Sequence, residues 1–285
     1  MKNLIRASVV AVAFVAPSFA AAQEVGRSQE VWTWDGRVER GKWFRLSSIN
    51  GPVTIEASSD NMVHVRAEKE VRRGDITDVA FQVLQSGGDV QVCALWYRDS
   101  CEEDGVRSRR DDDDRRENRR DVKVKFTVRV PAGVHVDAET VNGEMEIRDV
   151  TADVRASTVN GGVEVRDVGG EVRATTVNGG VDVSTKNGPV TATTVNGDVD
   201  VKMAAISRDG PMKFTTVNGR VSVEMPESID ADVEMETMHG SISSDYPVTL
   251  AGRFGPRHAR GTIGKGGRRI EMETLNGSVV LRKAR

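Results

Sequence analysis

Cysteine, histidine and surplus positive charge are all scarce in this chain, and each scarcity closes off a class of function. Its 285 residues hold two cysteines, Cys93 and Cys101, and four histidines, His64, His135, His239 and His258. No Cys-x-x-Cys spacing or neighbouring histidine supports a zinc or dithiol site at the cysteines. The histidines are scattered and match neither a metal motif nor a catalytic triad. Neither a nucleophile elbow nor a P-loop occurs. Lysine and arginine together number 40 against 43 aspartates and glutamates, so the basic excess that phosphate binding needs is missing, and neither nucleic acid nor anionic lipid is expected as the main partner. After residue 22 no stretch is apolar enough to span a bilayer.

The first 22 residues read as an export signal. Lys2 and Arg6 form a positive start, Ala7 to Phe19 an apolar run too short for a comfortable membrane span, and Ala20, Ala21 and Ala22 a small-residue cleavage site. No cysteine follows the run, so a lipoprotein anchor is not expected. Without Lys2 and Arg6 the 40 basic residues fall to 38, for a net charge of about −5. The expected setting is periplasmic or extracellular. In that setting an even pair of cysteines favours a disulfide, Cys93 to Cys101, across a short loop.

What the chain has in abundance is repetition. TVNG begins at Thr140, Thr158, Thr176 and Thr194, 18 residues apart, and returns at Thr216; TMHG at Thr237 and TLNG at Thr274 are variants. Gly161, Gly170, Gly179, Gly188 and Gly197 fall every nine residues. A period this short indicates one unit stacked on itself. In GluValArgAlaThrThrValAsnGly, the phase that buries Val172, Ala174 and Thr176 is favoured, because the other phase would bury Arg173 unpaired at a cost of several kcal/mol. Val181 and Val183 then point inward in the next half-unit, followed by Val190, Ala192 and Thr194, and by Val199 and Val201.

The expected fold is therefore all-β: a parallel β-solenoid of about 18–22 residues per coil, with two short strands in each. Asn-Gly suits the bends because both residues tolerate positive φ. The turn positions are Asn50-Gly51, Asn142-Gly143, Asn160-Gly161, Asn178-Gly179, Asn187-Gly188, Asn196-Gly197, Asn218-Gly219, His239-Gly240 and Asn276-Gly277. In-register stacking lets Thr176-type hydroxyls and Asn178-type amides bond to their counterparts one layer away. Strict alternation leaves Val141, Val159, Val177, Val195 and Val217 outward; the expectation is that the bend turns this column back inward, the alternative being an exposed apolar stripe that marks a contact surface.

Residues 23–130 read as a less regular, β-rich amino-terminal part that caps the solenoid, which occupies 131–285. This part holds the cysteine loop and a charged run, 107–121, with seven arginines and six acids. Flanking arginines neutralise Asp111 to Asp114, so the run reads as a solvated, disordered loop and not as a cation site. Trp32, Trp34, Trp43 and Trp96 lie in the same part and are expected to plug the open end, with sugar stacking as the other possible role.

The order of these segments resembles the bacterial "putative adhesin" β-strand-repeat family, classed as domains of unknown function. The similarity rests on INGPVTIEA, VRVPAGVHV, the serial TVNG turns, VEMPESIDADVEMETMHGSI and the closing RRIEMETLNGSVVLRK, and it covers roughly residues 40–285. It implies an exported, non-enzymatic β-solenoid, and the family supplies no catalytic residues to carry over.

Two site types known on similar coils bear on this chain. The calcium β-roll also has 18-residue coils, but its regular Gly-Gly and Asp positions are missing here, so no metal or other cofactor is expected. Outward Glu164, Asp182, Asp198 and Asp200 could in principle form a carboxylate pair of a polysaccharide lyase or hydrolase, although charged residues on such a face are usually there for solvation. The expected function is an adhesin-like or scaffold surface that contacts a cell-envelope component, polysaccharide or surface protein. A carbohydrate-active β-helix enzyme and an accessory of envelope-stress signalling are the alternatives.

Overall fold

The computed structural model describes residues 24–96, 99–102, 105–107, 121–206, 208–251 and 257–284. The expected export signal, 1–22, and nearly all of the charged run lie outside them. The core is a stack of eight coils, each giving one strand to each of two facing sheets. Sheet I runs Val53–Ala57, Met145–Arg148, Val163–Val168, Val181–Thr185, Val199–Met203, Val221–Met225, Val279–Lys283 and Ile242–Ser244, and every neighbouring pair is parallel. Sheet II runs Trp43–Ser47, His135–Glu139, Val154–Ser157, Val172–Thr175, Val190–Thr193, Met212–Asn218, Arg269–Asn276 and Ala231–His239, also parallel throughout.

The alternation phase read from Arg173 is the one adopted. Val172, Ala174, Val181, Val183, Val190, Ala192, Val199 and Val201 are all buried. Each valine so placed contributes about 1.5–3 kcal/mol. Valine and alanine dominate the core of the middle coils, and larger side chains fill it toward the ends, Phe44, Phe81 and Phe126 at one and Phe214, Met225 and Met235 at the other.

Two features of the stack follow no simple chain order. Residues 43–57 form a coil that packs directly on 135–148, although the intervening chain is long; Asn50 bridges to Asn142 as the repeats bridge to one another. At the other end, the carboxy-terminal coil 269–283 lies between 212–225 and 231–244. The chain therefore skips a layer, lays down 231–244, runs out through the antiparallel strands Thr249–Ala251 and Arg257–Ile263, and returns to fill the gap.

Further strands close the amino-terminal end. Asp121–Val130 extends sheet I in parallel, followed by antiparallel Val63–Arg73 and Val31–Gly36. Asp89–Trp96 extends sheet II in parallel, followed by antiparallel Val79–Ser86. Trp32 is buried and stacks on Phe81, with ring centroids 4.6 Å apart. Lys69, also buried, donates to the carbonyls of Gly26 (2.8 Å), Arg27 (2.9 Å), Ile76 (3.1 Å) and Val79 (2.6 Å) and so ties three segments together. Burial, with Arg27 nearby, pushes its amine down to about 8. Cys93 and Cys101 are joined in a disulfide, with Cα atoms 5.9 Å apart.

The TVNG corner divides its work differently from the expectation. Asn160, Asn178, Asn196, Asn218 and Asn276 each donate a side-chain N–H to the asparagine one layer toward the amino-terminal end, at 2.8–2.9 Å. Among the described non-glycine residues positive φ occurs at Asp149 and Asp167 and at none of these asparagines; at the corner it falls on glycine, at Gly51, Gly161, Gly179, Gly197 and Gly277. At Gly179 φ is +156°, and an added Cβ would lie 2.1 Å from the carbonyl oxygen of Gly161. The buried threonines do not bond to each other. Thr158, Thr176, Thr194, Thr216, Thr274 and Thr237 donate to the carbonyls of Gly143, Gly161, Gly179, Gly197, Gly219 and Gly277, at 2.8–3.0 Å. A turn carbonyl facing inward needs a donor, and the hydroxyl beside it is the one in reach.

The valine column does not turn inward. Val141, Val159, Val177 and Val195 are 37–39% exposed. The reason is that the parallel ladder runs past them: the Asn160 N–H bonds to the Val141 carbonyl at 2.8 Å, and the same bond recurs above, so the pleat persists until glycine breaks it.

Candidate binding surface

An open groove lies on the exposed face of sheet I. The position two residues after each corner asparagine is Glu144, Gly162, Gly180 and Asp198 in successive coils, linked by backbone bonds into the next layer. Two adjacent glycines there leave a floor without side chains. The result is an open groove of about 600 Å³.

One wall is a ladder of carboxylates. Register places Glu146 beside Glu164, Glu164 beside Asp182 and Asp182 beside Asp200. Four acidic side chains thus stand on four consecutive strands, each about 4.8 Å from the next. Stacked like charges repel, and basic side chains offset this only at the ladder's ends and flank. Arg148 bonds to Glu146 and Glu56 at 3.0 Å each, Arg166 pairs with Glu164, and Arg220 reaches Asp200 at 3.2 Å and Asp198 at 3.5 Å. Asp182, in the middle, has no cation partner among the described residues.

The groove brings together all four carboxylates singled out in the sequence: Glu164, Asp182, Asp198 and Asp200. Sequence reading missed Glu144, Glu146 and the glycine floor, because Gly162 and Gly180 read as parts of turns. The signal was available in the column Glu144, Gly162, Gly180, Asp198 once the coils are aligned. Chemically, a row of carboxylates over exposed backbone accepts hydrogen bonds from amines and hydroxyls. Among the described residues no cluster of His, Cys, Asp and Glu is arranged to hold a metal ion.

The histidines lie elsewhere. His64 is held between Asp35 (2.6 Å) and Asp60 (3.0 Å), and these hydrogen bonds, Asp35 first, raise its pKa above the ordinary value. His135 stacks on Trp43, with centroids 4.8 Å apart, and the Arg155 guanidinium lies 4.3 Å from the centre of the Trp43 ring. Trp43 is therefore part of the outer face of sheet II, whereas Trp32 fills the end of the core. On the same face burial raises the Asp137 pKa, partly offset by Arg155 and Arg45. His239 occupies the asparagine position beside Asn276 at the end of the ladder, and His258 lies 3.7 Å from Glu234.

The turn residues fall into two groups. Asn50, Asn142, Asn160, Asn178, Asn196, Asn218, Asn276 and His239, with Gly51, Gly143, Gly161, Gly179, Gly197, Gly219, Gly277 and Gly240, line one corner of the stack. Asn187 and Gly188 belong to the opposite bend, where both backbone N–H groups approach Thr185 Oγ1 at 3.4 Å. Gly188 is buried there, and an added Cβ would meet the carbonyl of Gly170.

Comparison with known proteins gives a family match and two fold likenesses. The family model described as Toastrack DUF4097 matches residues 121–282. No curated protein matches the chain significantly. A putative cell adhesion protein from Clostridium sporogenes ATCC 15579 is 11% identical, with 89% of this chain and 100% of that one aligned and a TM-score of 0.33. A putative adhesin from Bacteroides fragilis NCTC 9343 is 12% identical over 90% of this chain and 99% of its own, with a TM-score of 0.40.

Proposed function

The chain belongs to the Toastrack DUF4097 family, and on that premise we propose that it is an exported, non-enzymatic β-solenoid whose sheet I groove binds a component of the bacterial cell envelope. The observation that carries this reading is the four-rung carboxylate ladder beside a glycine floor, held on strands in strict parallel register. A rigid scaffold of this kind presents its polar groups at fixed spacing, so little ordering cost falls on binding. The partner is a polysaccharide or surface protein that offers amines or hydroxyls to the groove. The protein acts in the periplasm or outside the cell.

Co-sedimentation of the purified chain with peptidoglycan, outer-membrane vesicles and whole cells tests this, with product analysis of the polysaccharide fractions. The expected result is saturable binding to one fraction, no cleavage, and weakening with salt, since exposed charge interactions are screened beyond about 8 Å at physiological ionic strength. Asp182→Asn with Asp200→Asn should lower affinity at least several-fold. Cleavage products, or binding untouched by the double substitution, would overturn the proposal.

A further inference from the structure

The exposed valines are part of a longer structure. Thr216 pairs with Thr274 and Asn218 with Asn276, so Leu275 continues the column after Val217; Met238 follows through the pairs Thr237 with Thr274 and His239 with Asn276. Leu275 is 43% and Met238 42% exposed. An apolar ridge thus runs along one corner through seven coils, or about 30 Å at the usual strand spacing. The asparagine ladder runs alongside it.

We propose that this ridge docks a second copy of the same chain, about a two-fold axis parallel to the stack. Three observations select that occupant. The first is charge: in a chain with 29% charged residues, the four middle corner segments Ser157–Asn160, Thr175–Asn178, Thr193–Asn196 and Thr215–Asn218 contain none, and charge returns only in the outer coils, as Glu139, Glu273 and Glu236. Two copies of an acidic chain can meet along the middle coils without opposing like charges.

The second is what flanks the ridge. In the middle coils Arg155 and Arg173 stand on the sheet II side of the layers that carry Glu164 and Asp182 on the sheet I side, whereas Asp137, Glu271 and Glu234 take the same sheet II position in the outer coils. A two-fold parallel to the stack turns the sheet II flank of one copy toward the sheet I flank of the other, which sets these opposite charges together in the two middle layers. An antiparallel arrangement would set the carboxylate flank against itself.

The third is the period. Both ridges repeat at the strand spacing, so a parallel pair meets layer on layer, and each valine faces its own counterpart as isologous contact requires. The exposed parts of the ridge residues supply roughly 400 Å² of apolar surface, about half of one partner's share of a standard interface; the asparagine and outward threonine columns supply the rest.

Sedimentation velocity of the purified chain, from about 1 to 500 μM, reads the prediction. The expected result is a dimer that dissociates on dilution. Val159→Lys with Val177→Lys should shift the midpoint at least tenfold higher while leaving the circular dichroism spectrum unchanged. Val159→Thr with Val177→Thr, which keeps shape and β-branching, should give a smaller shift in the same direction. Val177→Cys should form an intermolecular disulfide with its own counterpart on oxidation. A monomer at every concentration, a dimer indifferent to the lysine pair, or an antiparallel dimer without the Val177→Cys cross-link would each overturn the proposal. So would a monomer whose binding to an envelope fraction is lost in the lysine variant, since the ridge would then belong to another partner.

Discussion

His64, set between Asp35 and Asp60, makes a small pH-dependent clasp on the amino-terminal cap. Its pKa is raised from the ordinary 6.5. The stability it contributes is therefore fully present below about pH 6.5 and is lost as pH rises through the higher folded value. An NMR titration should place the His64 midpoint above 6.5, and Asp35→Asn should bring it down; a midpoint at or below 6.5 would remove the clasp. Single residues of this kind were only partly legible in the sequence. The inward valines could be read because burying Arg173 was untenable. The outward valine column was read wrongly, because a corner was expected at valine and the backbone ladder carries on to asparagine.

Within one coil, asparagine and glycine look like a single turn signal but carry separate loads. Glycine is fixed by φ and by the carbonyl one layer away, which leaves no room for a methyl group. Asparagine is fixed by its amide bonds to the layers on either side. Gly179→Ala should cost about 2 kcal/mol or more, through strain and overpacking. Asn178→Ala should cost about 1 kcal/mol, since exposed amides regain water when their partners are lost. Urea denaturation of the two variants checks the order; equal costs would mean that the turn works as one unit after all. The sequence made the coils visible because each buries the same residue types at the same period. It left the groove hidden, because a missing side chain becomes a floor only when neighbouring coils are laid side by side.

For the molecule as a whole, the sequence read the stack but not its order. TMHG comes before TLNG in the chain, yet Asn276 bonds to Asn218 and His239 lies one layer beyond. Nothing local distinguishes the two possibilities, because both turns fit either slot and only pairing between distant strands decides. Deleting residues 269–285 tests the observed order. The strands of 212–225 and 231–244 would then lose their shared neighbour, and hydrogen exchange should quicken on both, whereas the middle coils 154–203 keep their protection. Quickening confined to 231–244 would contradict the order. The skipped layer also bears on the timing of assembly. If the chain is delivered amino-terminal end first across the membrane, coil after coil can settle as it emerges, until 231–244 arrives with no finished surface to rest on. The layer that will support it is still unmade. The stack is completed by its last-synthesised residues sliding between two earlier ones, and a chain interrupted a few residues short would keep an open slot in place of a clean end.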